Sequence, residues 1–259
     1  LTITNNGLIQ TRSTGAGGAR NINADLDNRG TLDIDQSGTL FATDFHSDQA
    51  STIDVAAGTT LDVNATTTYF SDQTSLVGDG SIILVGTQTL DLTGGVFTID
   101  GTGPAVEFAG FITVDGVGSL RVAAGGSQLL TSDTINTDLD LQSGGQIVVN
   151  AGTTTIGSTV FTQNGDVFVD SDSNGDAHLS VTNGFTNAGT INLDNVDTVS
   201  RTSTLTLGGS LINTGFIRTL ATSGEGNRNI SGDVDNRNVL DIDQHTNLTG
   251  TSFRSDMAS

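Results

Sequence analysis

The chain has no cysteine, no tryptophan and no lysine, and only one proline, one methionine and one tyrosine among its 259 residues. Each scarcity excludes something. Without cysteine there is no disulfide staple and no thiolate metal or redox centre. Without lysine, all nine cations are arginine. Of the 29 acids, only Glu107 and Glu225 are glutamate. Glu and Lys are good helix formers, whereas the abundant Asp, Asn, Gly and Thr favour turns or strands, so helix is disfavoured almost everywhere. No apolar run approaches the roughly 18 residues that a membrane helix needs. The longest cluster, Ile82 to Val85, has the size of a strand.

Charge of one sign dominates, at a net −20. Phosphate recognition needs clustered Lys and Arg, so nucleic acid is excluded as a partner, and an anionic membrane surface with it. The same charge favours solubility in a saline or calcium-rich medium that screens or bridges carboxylates. High charge is also a mark of disorder. Here 34% of residues are hydrophobic and they alternate regularly, which argues for strands instead.

What the sequence does have is repetition, on two scales. Residues 1–51 align without a gap on 209–259, and 25 of the 51 positions are identical. NINADLDNRGTLDIDQSGTL at 21–40 matches NISGDVDNRNVLDIDQHTNL at 229–248. Thr43, Phe45, Ser47, Asp48, Ala50 and Ser51 recur as Thr251, Phe253, Ser255, Asp256, Ala258 and Ser259. The expectation is one continuous solenoid over 1–259, cut from a longer tandem array with a 208-residue super-repeat.

A shorter period lies inside this one. Turn residues precede strand-like runs every 20–25 residues or so, as in GTLDID (30–35), GTTLDV (58–63), GSIILV (80–85) and GTINL (189–193). The motif Asn-x-Gly-x-Ile/Leu occurs at Asn5–Ile9, Asn28–Leu32, Asn187–Ile191 and Asn213–Ile217, with Asn236–Leu240 as a variant. A unit of this size with two or three short strands cannot bury its own apolar face, but stacked on its neighbours it can. Runs such as Leu32-Asp33-Ile34-Asp35 send alternate residues inward and outward. Gly and Asn are expected to supply left-handed corners between faces. A sandwich would show two-residue hairpin turns, and a propeller a period nearer 40–50 residues. The fold class is therefore all-β, a parallel β-helix of about 20–25 residues per coil, right-handed by the general rule for parallel crossovers. Segments 100–112, which holds Pro104, and 195–204 are expected to be loops or distorted coils. Phe41, Phe45, Phe97, Phe108, Phe161, Phe168 and Phe253 are expected inside.

These Asn-x-Gly-x-Ile/Leu units, the Thr/Gly/Asp-rich coils and the missing cysteine resemble the β-helical stalks of filamentous haemagglutinin-type adhesins and autotransporter passengers. The resemblance covers nearly the whole chain. It implies a right-handed β-helix, secretion to the bacterial surface or beyond, and attachment or spacing as the role. The implied partners are copies of the chain itself, surface glycans, and host or neighbouring cells.

Candidate chemistry is sparse. Asp170, Asp172, Asn174 and Asp176, with Gly175 between, match the first half of a calcium loop, in which alternate oxygen ligands converge on one ion. Val181 stands where a calcium loop would place its bidentate acid, so this is no EF-hand. Calcium is the one cofactor expected. The acids Asp25, Asp27, Asp33 and Asp35 recur as Asp233, Asp235, Asp241 and Asp243. Stacked like charges repel, so Arg20 and Arg29, recurring as Arg228 and Arg237, or bridging divalent ions, are the expected compensation. His46, His178 and His245 are scattered, and no lysine is present to serve as a lyase base. The Thr runs 66–68 and 153–155 read as ordinary strand residues. No catalytic residue is assigned. An extracellular structural or adhesive fibre is the first function expected, and a carbohydrate-binding or carbohydrate-active β-helix the alternative.

Overall fold

Alternation decides the local structure. In Ser51–Val55, Ser51, Ile53 and Val55 are buried while Thr52 and Asp54 face outward. Such segments are too short to be stable alone, and they gain stability by laddering with the segment one coil away. The computed structural model describes residues 1–12, 18, 20–220 and 224–255. The repeated Asp256, Ala258 and Ser259 lie outside them. Among the described residues there are 33 strands and no helix. They form a parallel β-solenoid of about 11 turns with roughly 23 residues per turn. The sole antiparallel bridge outside the ladders, among the described residues, is the tight Asp172–Gly175 turn.

The chain divides into two compact units, 1–121 and 122–259. In the first, three ladders carry the coils. Leu8–Thr11, Thr31–Ile34, Ser51–Val55 and Thr74–Val77 form one. Thr2–Asn5, Asp25–Asn28, Asp44–His46 and Thr67–Phe70 form another. Arg20–Asn23, Gly38–Phe41 and Thr60–Asn64 form the third. Inward rows such as Leu32–Ile53, Ile34–Val55 and Leu40–Val63 are fully buried. Each such side chain contributes about 1.5–3 kcal/mol. Phe45, Phe70 and Phe97 stack down the interior at centroid spacings of 6.0 and 5.1 Å. In the second unit the rows Ile147–Val167–Ile191–Ile217 and Leu179–Leu205–Ile230 do the same work. The repeated sequence pairs in the same way in each unit: Asn5 opposes Asn28 and Asn213 opposes Asn236, while Arg20 opposes Gly38 and Arg228 opposes Thr246.

Four expectations are corrected. Of the segment 100–112 expected as a loop or distorted coil, 101–104 form a turn, but 105–112 belong to a 12-residue strand, Ala105–Gly116, paired throughout with Ser81–Leu92. Pro104 stands just before its first residue, where a missing N–H costs no ladder bond, and Val106, Phe108, Ile112 and Val114 point inward. The motif asparagines do not make left-handed corners. Among the described residues the non-glycine positive φ values belong to Ala50 and Ala151. The asparagines point inward and are buried. Asn5 Nδ2 donates to Asn28 Oδ1 at 2.8 Å, and Asn28 Nδ2 to Ser47 Oγ at 3.2 Å. In the second unit Asn187, Asn213 and Asn236 form a similar chain at 2.7 and 2.6 Å. Glycine does take left-handed positions, as at Gly58 and Gly95, but the motif glycine serves close approach: a Cβ on Gly30 would strike the Gly7 carbonyl, and one on Gly189 that of Gly165. Finally, Phe41 is 42% and Phe253 50% exposed, and Phe168 sits partly buried on an outward position. Leu40 and Val167 take the inward turn of alternation beside Phe41 and Phe168, whereas Phe253 lies on a coil that no later described coil covers. The loop expected at 195–204 is present, as the irregular segment 196–202.

Candidate functional site

The four residues of the calcium-like loop fall at the end of the strand Asp166–Ser171 and in the turn that follows. Asp172 is occupied by its own turn: Oδ1 accepts from the Asn174 backbone N–H at 2.7 Å and Oδ2 from Asn174 Nδ2 at 2.9 Å. Asp176 Oδ1 accepts from the Thr202 N–H at 2.9 Å. Asp170 belongs to a different environment, opposite Asp194 on the next coil. No group of three or more acidic or imidazole side chains placed to hold a metal occurs among the described residues.

Asp170 is part of a cluster that sequence reasoning missed. The strand Thr190–Asn195 is covered on both faces, so Asn192 and Asp194 are buried on what alternation makes its outer side. Arg228 is fully buried, with one guanidinium nitrogen 3.6 Å from Asp194 Oδ1. It donates to the Leu220 carbonyl at 3.0 and 3.2 Å and to the Gly226 carbonyl at 3.2 Å. Asn195 Nδ2 reaches the carbonyls of Val199 at 2.6 Å and Glu225 at 3.0 Å. These bonds pin segment 196–202 and the chain around Gly226 over the sheet. Burial, then the Asp194 charge, pushes the Asp170 carboxyl up to about 6, with Arg228 opposing. Asp170 Oδ1 has no hydrogen-bond partner. Arg228 thus serves a buried acid, not the outer acidic row. Only its repetition from Arg20 marked it in the sequence, and nothing marked Asp194.

The outer acids divide by position. Asp25 Oδ1 accepts from the N–H groups of Thr43 at 2.7 Å and Asp44 at 3.2 Å, which closes the corner of the next coil. Asp233 does the same for Thr251 and Ser252. The Asp44 and Thr43 bonds hold the Asp25 carboxyl below its usual range, and the Thr251 hydroxyl, followed by the Ser252 N–H, does so for Asp233. Arg29 pairs with Asp27 at 2.7 Å and Arg237 with Asp235 at 2.6 Å, as the alternation suggested. Other acids stack directly. Asp33 opposes Asp54, and Asp91 opposes Asp115. Burial followed by neighbouring carboxylates raises both Asp33 and Asp91.

The histidines occupy separate surroundings. His46 stacks on Tyr69 at 3.9 Å and lies 3.6 Å from Asp48. His178 Nε2 is 2.8 Å from Thr206 Oγ1, and His245 Nδ1 is 3.0 Å from Asn227 Oδ1. Two of the grooves lie at equivalent places in the two copies. Both sit at the corner that Asp25 and Asp233 close, with volumes of about 450 and 490 Å³. Comparison with family models, curated proteins and solved structures finds no match to this chain.

Proposed function

We propose that this chain is a stretch of a right-handed β-helical fibre on the outside of a bacterial cell, built from tandem 208-residue repeats and serving as an adhesive stalk or spacer. The observation that carries the reading is the recurrence of strand register in the two sequence copies. A unit that pairs identically at each occurrence extends without a special end. Ile34, Leu40 and Phe45 are fully buried beneath the coil that follows them. Their counterparts Ile242, Leu248 and Phe253 are 48%, 39% and 50% exposed. These three lie on the last described coil, which no described coil covers. The role is mechanical, and the acidic surface provides solubility and ion-mediated contact.

Calcium enters this reading as a weak ligand. At the 170–176 loop it must displace Asn174 from Asp172 and Thr202 from Asp176, so affinity is expected no tighter than millimolar. Calorimetric titration checks this, and micromolar binding would contradict it. The fibre itself is tested on intact cells: brief external protease treatment should remove the protein and reduce attachment together. Retention of the protein inside treated cells overturns the reading. The carbohydrate-binding alternative draws on one observation, the exposed Phe41 in a corner groove.

A further inference from the structure

Small residues indent one corner of the solenoid. Ala24 and Ala42 are the small residues of the groove, and Leu1, Asn23, Asp25, Phe41, Thr43 and Asn64 complete its lining. The same corner recurs in the second copy with Gly232 and Gly250 as the small residues and Ser231, Asp233, Thr249 and Thr251 beside them. The first groove has the following coil in place, through Asn64. The second has the preceding coil in place, through Leu207 to Ser210.

What differs between the copies is the wall. Asn23, Phe41 and Asn64 are register neighbours on three successive coils. They form one outward row with a spacing of about 4.8 Å. An aromatic ring thus stands in solvent between two primary amides, each able to donate and accept. Below it lies a carboxylate whose Oδ1 is held by two backbone N–H groups, which fixes its direction and keeps it ionised. The second copy places Thr249 and Ser231 where Phe41 and Asn23 stand.

We infer that the groove around Phe41 binds a neutral saccharide, and that the Thr249 groove does not. The apolar face of a pyranose stacks on the Phe41 ring, in the manner of other offset contacts to an aromatic face. Asn23 and Asn64 bond its hydroxyls from either side, and Asp25 accepts a hydroxyl proton in a charge-assisted bond. A net charge of −20 disfavours anionic glycans. The volume falls within the roughly 300–1,000 Å³ of small-molecule sites. The inference rests on the carbohydrate-binding reading and does not require the fibre.

The test is an amide-resolved NMR titration of the whole chain with mannotriose, maltotriose and cellotriose, and with a sialylated trisaccharide for comparison. The expected result is millimolar binding of a neutral probe, with shifts confined to residues 23–25, 41–44 and 64. Phe41→Thr installs the residue that the second copy already tolerates, so it should leave the other resonances in place while weakening binding by about tenfold or more. Shifts elsewhere on the chain, or shifts at the groove that survive Phe41→Thr, overturn this site while leaving carbohydrate binding standing. Tighter binding of the sialylated probe overturns the neutral class. No shift with any probe overturns both the site and the carbohydrate-binding reading.

Discussion

Asn213 shows how one residue carries the stack. Its amide donates to Asn236 Oδ1 at 2.6 Å and to the Val239 carbonyl at 2.9 Å, and its oxygen accepts from Asn187. Truncation to alanine leaves buried polar groups unpaired on both neighbouring coils. Asn213→Ala should therefore cost about 2–4 kcal/mol, while Asn6→Ala, at the exposed variable position of the first motif, should stay within about 0.5 kcal/mol, both read by chemical denaturation. Asp170 makes a second residue-scale case. Its folded pKa of about 6 exceeds the ordinary aspartate value near 3.9, so the folded state holds the extra proton between those limits. Its contribution to stability accordingly falls as pH rises through that window. Asp170→Asn should stabilise the protein at pH 7 by on the order of 1–2 kcal/mol, allowing for partial solvation, and the gain should vanish by about pH 4. Denaturation midpoints of both proteins across that range decide it. A variant less stable than the parent at pH 7 would show that the Arg228 charge dominates Asp170.

At the scale of the element, the spacing of the Asn-x-Gly motif and the alternation around it were enough to predict stacked parallel strands. The physical work of the motif was not legible, because Asn and Gly carry the same left-handed tendency that marks ordinary turns. Here packing between coils, not backbone handedness, selects both. Gly189→Ala should cost about 2–3 kcal/mol, since its Cβ meets the Gly165 carbonyl and neither strand can yield without breaking its ladder. Gly58 has a φ of +74° with open space around it, so Gly58→Asn should cost under about 1 kcal/mol. Equal penalties at the two positions would refute the distinction. Pro104 misled only in extent: it ends the turn at 101–104, and standing just before a strand it does not interrupt the one that follows. The Asp194–Arg228 pair stayed hidden because alternation assigns Asp194 to solvent. Only the segments folded across its strand bury it.

At the scale of the molecule, the repeat links fold and proposed function. Residues 52–121 added after Ser259, in the frame set by the repeat, should stack on Ile242, Leu248 and Phe253 and bury them. The extended protein should unfold at a higher denaturant concentration with a steeper transition and bind less of a hydrophobic dye. An unchanged midpoint and undiminished dye binding would count against coil addition at that face. The array itself makes the sharper claim. At roughly 23 residues per turn, 208 residues make about nine turns. Stacked at about 4.8 Å, these advance roughly 43 Å. The direct measurement is electron cryo-microscopy of the intact native protein, with Fourier analysis along its long axis. Rods with an axial spacing near 4.8 Å, modulated at roughly 43 Å, are expected. Globular particles, or rods without the longer modulation, would contradict that claim.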